Sequence, residues 1–153
     1  MKQLARIILA EDDPADARLA LDTLAEQKLD QHTVVLADGL QVMDYLYARG
    51  RFRNRSPGHP MVILLDVKMP GLDGLDVLEQ IRSDPALRYI PVVMLTASRQ
   101  ERDVRRAYEF GANGYLVKSI DFDACRASLL AFGHFFAVAN EPPPGSLQPP
   151  RTP

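Results

Sequence analysis

Three carboxylates, a hydroxyl and an amine each stand where an apolar run of this chain ends. Val62-Ile63-Leu64-Leu65 passes without a break into Asp66. A run so short and so rich in Val, Ile and Leu reads as a strand buried on both faces. The end of such a strand is where ligands bind in open α/β sheets. Taken alone, Asp66 is better explained as the cap of the next turn. Glu11 and Asp12 follow another apolar run, residues 6–10, and two adjacent carboxylates there either face water or share a cation. Residues 91–95 lead into Thr96, and Tyr115-Leu116-Val117 lead into Lys118. Brought to one edge, Glu11, Asp12 and Asp66 would repel one another unless a cation joined them. Mg²⁺ suits that place, because it takes oxygen ligands and keeps several waters. Lys118 would add a mobile point charge, and Thr96 a donor to a phosphoryl oxygen. A carboxylate nucleophile, a metal, an amine and a hydroxyl make a site for phosphoryl transfer.

The rest of the chain supplies the scaffold. Asp13, Pro14 and Asp16 open a helix that runs to about residue 27, as N-cap, first helical residue and first-turn acid. Leu21 and Leu24 are among its expected core contacts. A strand over 33–37 leads through Asp38-Gly39 to a helix with Val42, Met43 and Leu46 on one face, stopped by Gly50. Residues 51–60 are a basic loop, either a solvated connection or a docking patch for an acidic partner. His59, beside Pro60 and without a metal-ligand neighbour, is incidental. Pro70-Gly71 and Asp73-Gly74 mark a tight loop after Asp66. Helices are expected over 75–82, 98–110 and 122–139, with Val104 and Ala107 as inner contacts of the middle one. Five strands alternating with five helices imply a doubly wound parallel sheet with helices on both faces. In that fold the strand ends converge, and one edge of the sheet collects Glu11, Asp12, Asp66, Thr96 and Lys118.

Composition sets the bounds. The 153 residues fit one domain with a real core. A net charge of -2 leaves no electrostatic footprint for nucleic acid. Cys125 is the single cysteine, so no internal disulfide forms and a reducing, cytoplasmic location fits. Met1-Lys2-Gln3 and the short apolar run behind it are neither a signal peptide nor a membrane span.

The pattern resembles the receiver domain of bacterial two-component response regulators, over residues 2–139. In that family an acidic pair after the first strand holds Mg²⁺, which here falls on Glu11 and Asp12. The phosphoacceptor after the third strand matches Asp66, and the carbonyl of Lys68 joins the metal ligands. The hydroxyl after the fourth strand matches Thr96, the amine after the fifth matches Lys118, and a rotamer-switching aromatic matches Tyr115. The resemblance implies a flavodoxin-like sheet of order 2-1-3-4-5, and a sensor histidine kinase as phosphodonor. It implies that the protein supplies its own Mg²⁺-dependent transfer and dephosphorylation site. The start Ile8-Leu9-Ala10-Glu11-Asp12-Asp13-Pro14-Ala15-Asp16, the segment Tyr45-Leu46-Tyr47-Ala48-Arg49-Gly50 and the long loop before Asp66 look most like the small regulators that partner bacterial phytochromes. One departure stands out. The family usually has Pro after the Lys, joined by a cis bond, where this chain has Ser119. A cis bond before a non-proline residue costs roughly 2.5–4 kcal/mol.

Rival functions fit less well. An FMN binder of the same fold needs a phosphate-cradling first loop, and here that loop is acidic. A haloacid dehalogenase-type phosphatase usually has a second Asp two residues after the nucleophile, where this chain has Lys68. A receiver-like scaffold that is never phosphorylated would normally lack one of the site residues, and none is missing. Residues 140–153 carry six prolines among fourteen positions, which predicts an extended or disordered tail and output through protein partners. The last helix places Phe122, Cys125, Leu129, Phe132 and Phe136 inward. Its other side carries Ala124, Ala127, Leu130, Ala131, Phe135 and Val138, with His134 and Asp123 as polar relief. Such an apolar outer side predicts a homodimer, with the tail folding back over it as the alternative. His134 would make that pairing sensitive to pH.

Overall fold

The computed structural model describes residues 4–146, so the expectations for residues 1–3 and for the end of the tail, 147–153, lie outside it. In chain order the elements are β1 (Ile7–Ala10), α1 (Pro14–Ala25), β2 (Thr33–Leu36), α2 (Gly39–Leu46), β3 (Val62–Leu65), α3 (Gly74–Ser83), β4 (Val92–Thr96), α4 (Glu101–Glu109), β5 (Gly114–Val117) and α5 (Phe122–His134). The strands form one parallel sheet of order β2-β1-β3-β4-β5, as the family resemblance implies. Alternation along each strand splits the core in two. Ile8, Ile63, Leu65, Val92 and Met94 face one layer, which α2, α3 and α4 cover through Val42, Met43, Val77, Leu78, Ile81 and Ala107. Ile7, Leu9, Val62, Leu64, Val93 and Leu95 face the other, closed by Ala20 and Leu24 of α1 and by Cys125, Leu129 and Phe132 of α5.

Register delivers the functional side chains. Ala10 pairs with Leu65, so Glu11 and Asp66 leave the sheet side by side. Thr96 pairs with Val117, so Lys118 emerges one step beyond it. Asp side chains then start the helices: Asp13 accepts from the amides of Ala15 and Asp16, Asp73 shares a capping box with Asp76, and Asp121 accepts from Asp123 and Ala124. Gly74 lets α3 begin directly against the site, because a Cβ there would stand 2.0 Å from the Asp66 carbonyl oxygen. Gly133 does the same for α5, where a Cβ would meet Gln27 Oε1 at 2.3 Å.

Several expectations need correction. Helix α1 ends at Ala25, and Leu21 is only half-buried while Leu24 is fully buried. Gly50 does not stop α2. The helix ends at Leu46, and Ala48 takes the left-handed turn at φ +52° before a short 3₁₀ segment, Gly50–Phe52. Helix α4 starts at Glu101 rather than at 98, because the Ser98 hydroxyl is spent on the Gln100 amide and on Asp103. Phe122 does not join the inner stripe; as the first residue of α5 it lies beyond the strand ends and is 56% exposed. Leu130, placed on the outer side, is half-buried.

The basic loop is more than a solvated connection. Arg55 is buried, and its guanidinium donates to the carbonyls of Tyr45, Leu46, Ser56 and Gly58. His59 likewise has a structural part. Its amide donates to the Gly145 carbonyl, and His59 bridges to Ser146, so the described part of the tail is held ahead of β3. That segment leaves Phe135 and Val138 about half exposed, at 52% and 49%. By length and composition, Phe122–Ala139 is apolar enough to cross a membrane, yet Cys125, Leu129, Phe132 and Ala137 pack into the second core layer. Cys125 is core, as expected.

Candidate functional site

The strand ends converge on a cavity of about 670 Å³, lined by Glu11, Asp12, Asp16, Asp66, Thr96 and Lys118 among others. Glu11, Asp66 and Thr96 are buried, Asp12 is exposed and Lys118 is half-buried. Glu11, Asp12 and Asp66 each bring one carboxylate oxygen within 4.8 Å of the others. That all-oxygen donor set fits a hard divalent cation.

Lys118 is the hub of the arrangement. Its Nζ donates to both oxygens of Glu11 at 2.9 and 2.8 Å, to Asp66 Oδ2 at 2.8 Å and to Asp16 Oδ2 at 3.0 Å. Burial by itself pulls the Lys118 pKa down, but its hydrogen bonds with Asp66, Glu11 and Asp16 outweigh that and hold it above the usual amine value. Glu11 goes the other way. Burial and then the neighbouring Asp66 push its carboxyl up to about 8, against the pull of Lys118. One amine therefore does not neutralise the cluster. The Lys118–Ser119 bond is trans, as is every peptide bond among the described residues, and the amine reaches its partners without the cis proline of the family pattern.

The remaining site residues are tied to the loops. The Lys68 amide donates to Asp66 Oδ1 at 3.3 Å, and the Lys68 side chain is exposed. The Ser98 amide lies 3.4 Å from Thr96 Oγ1. Tyr115 is half-buried, and its hydroxyl donates to the Ser98 carbonyl at 3.0 Å. So Thr96 and Tyr115 both touch the β4–α4 connection through Ser98. Sequence reasoning missed two of these parts. Asp16 was absorbed as a first-turn helix acid, although its position one helical turn beyond the acidic loop could have drawn notice. Ser98 carried no sequence signal beyond its place two residues after Thr96.

Comparison with known proteins decides the family. A model described as the response regulator receiver domain matches residues 7–130. The chain belongs to the response regulator receiver family. This receiver is 44% identical to response regulator Rcp1 of Synechocystis sp. (strain ATCC 27184 / PCC 6803 / Kazusa) over 113 residues, which is 74% of this chain and 76% of Rcp1. The structure of the Mn²⁺-bound form of Rcp1 superposes on the receiver with a TM-score of 0.82 at 36% identity, covering 94% of this chain and 99% of that one. The phosphorylated cyanobacterial phytochrome response regulator RcpA gives a TM-score of 0.82 at 35% identity, covering 93% and 98%. The bacteriophytochrome response regulator RtBRR is 50% identical, with a TM-score of 0.73 and coverage of 93% and 86%. The receiver is thus related to regulators of phytochrome systems, and the family likeness to the Mn²⁺-bound Rcp1 agrees with the oxygen-donor cluster at Glu11, Asp12 and Asp66.

Proposed function

We propose that Asp66 accepts a phosphoryl group from a phosphohistidine of a sensor histidine kinase of the phytochrome type, in the cytoplasm. The observation that carries this reading is the sharing of one amine by buried Glu11 and Asp66, with Asp12 close enough to complete a cation site. A carboxylate oxygen of Asp66 bonds to phosphorus as the phosphorus–nitrogen bond breaks, and the imidazole leaves with the bonding pair. Glu11, Asp12, Asp66 and the Lys68 carbonyl would hold Mg²⁺, which would supply positive charge against the phosphoryl oxygens. Lys118 keeps its charge on the same side, and Thr96 donates its hydroxyl to a phosphoryl oxygen. Water attack at phosphorus later breaks the phosphorus–oxygen bond, returning the Asp66 carboxylate and inorganic phosphate. Movement of Thr96 toward the phosphoryl group frees the space into which Tyr115 turns, as a population shift. Their common contact with the Ser98 segment supports that coupling.

The test is labelling by a phytochrome-type histidine kinase with Mg²⁺. Wild type should take up label and Asp66→Asn should not; label retained by Asp66→Asn contradicts the assignment. Thr96→Ala should accept phosphate yet respond poorly in partner binding.

The outer side of α5, and of the π-helical segment Phe135–Ala139 that continues it, supports a homodimer as well. Ala127, Ala131, His134, Phe135 and Val138 are exposed and Leu130 borders them. Burying each Phe, Leu or Val is worth roughly 1.5–3 kcal/mol before association costs. Sedimentation should give a dimer for wild type and a monomer for Leu130→Glu/Phe135→Glu. A wild type that is monomeric at micromolar concentration rules the pairing out.

A further inference from the structure

We propose that Asp16 is a positioning residue that keeps the Lys118 amine at Asp66 while Glu11 is engaged by the cation; this rests on the phosphoacceptor reading above. Lys118 has three N–H bonds, and three carboxylates accept them: Glu11, Asp66 and Asp16. Glu11 and Asp66 also belong to the oxygen cluster suited to a divalent cation, and Asp16 does not. A cation drawing on Glu11 and Asp66 therefore competes with Lys118 for the same oxygens. Asp16 is the one partner of the amine outside that competition.

Its placement suits the task. Asp16 sits in the first turn of α1, and its own amide is fixed by the Asp13 cap. That cap holds the helix start, so the Asp16 carboxylate is delivered from a rigid turn across 102 positions of sequence to Lys118. Interaction with the helix dipole alone explains an acid at this position, but it does not call for a 3.0 Å contact with the one buried-edge amine. The Asp16 side chain is about half exposed, at 46%, while Glu11 and Asp66 are buried. Asp16 stands outside the oxygen cluster that a cation would occupy, so its contact with the amine is a lasting anchor. With Asp16 in place, Lys118 stays poised to meet the phosphoryl oxygens on Asp66. Without it, the amine must follow whichever cluster oxygen the cation leaves free.

The Lys118 ammonium reports on this directly. The chain has four lysines, Lys2, Lys28, Lys68 and Lys118. Among the described ones, Lys118 is held by three carboxylates, so its ¹⁵N ammonium signal should persist where freely hydrated amines exchange away. In wild type that signal should survive both without and with saturating Mg²⁺. In Asp16→Asn it should survive without Mg²⁺, which also shows that the fold is intact, and disappear with Mg²⁺. Asp16→Glu should restore it. At saturating Mg²⁺, Asp16→Asn should be labelled roughly three- to tenfold more slowly by a small phosphodonor such as phosphoramidate, and the same change in a Lys118→Met background should cost nothing further. A Lys118 signal that Asp16→Asn retains in Mg²⁺ overturns the proposal, as does an equal slowing in the Lys118→Met background. Absence of any labelling of wild type would instead defeat the phosphoacceptor reading, and the ammonium signal would still decide the part of Asp16.

Discussion

The two ends of the sheet use cations in opposite ways. Ahead of β3, Arg55 is surrounded by neutral carbonyls from Tyr45, Leu46, Ser56 and Gly58. Ahead of β4 and β5, Arg82 does the same with the carbonyls of Arg88, Ile90 and Gly111 and the side-chain oxygen of Asn113. These guanidiniums satisfy backbone oxygens that helix ends and loops would leave bare. Where the strands end, Lys118 instead faces Glu11, Asp16 and Asp66 together, and the acids outnumber the amine. Satisfied carbonyls make a scaffold. Carboxylates in excess of the one amine make a place suited to a divalent cation.

Substitutions at the two ends should therefore separate chemistry from stability. Lys118→Met should slow labelling of Asp66 by about 10²-fold or more, the scale of losing one preorganised donor at a charged transition state, while the protein still unfolds in one transition. Arg55→Ala should do the reverse. It strips the Tyr45 and Leu46 carbonyls at the end of α2 of their donor and should cost about 2–4 kcal/mol in denaturant unfolding, with the labelling rate of the folded fraction unchanged. If Arg55→Ala slows labelling and leaves stability alone, the contrast between the two ends fails.

Charge imbalance also sets a pH dependence. In the fold Glu11 is faced by Asp66 from β3, Lys118 from β5 and Asp16 from α1, with Asp12 beside it. Its carboxyl sits at about 8 in the folded chain against an ordinary value of 4.5. The folded state then holds a proton that the unfolded chain has lost, so metal-free stability falls as pH rises from 4.5 toward 8. A cation needs that proton gone. Mg²⁺ affinity should rise with pH over the same range, by at most about tenfold per unit, and calorimetry in buffers of different ionisation heat should show proton release on binding. The smallest effect belongs to the tail. Truncation after Asn140 removes the His59–Gly145 pairing and should lower stability by about 0.5–1.5 kcal/mol without changing labelling or sedimentation.

Much of this was legible in the sequence. Four of the five strands are apolar runs that end at a functional polar residue, and parallel packing must gather those ends, so Glu11, Asp66, Thr96 and Lys118 could be placed together before any coordinates. Helix starts were legible where an Asp precedes the run, as at Asp13. What escaped were parts whose role depends on long-range geometry. Asp16 looks the same in sequence whether it serves a helix dipole or an amine 102 positions away. Arg55 looks like any solvated arginine in a basic loop, because nothing local tells that α2 will offer it bare carbonyls. The stop of α2 was misplaced for a related reason: Ala48, a residue without turn preference, adopts the left-handed conformation that Gly50 advertises.

The most direct test of the central claim is to find the phosphoryl group on the chain. Wild-type protein labelled through a phytochrome-type histidine kinase in Mg²⁺ would be reduced with borohydride, which converts an aspartyl phosphate to homoserine, and then mapped by peptide mass spectrometry. The account requires homoserine at position 66 and nowhere else, and none when Mg²⁺ is omitted. Homoserine at another aspartate, or a phosphoryl group on a histidine or serine with Asp66 unmodified, would contradict it.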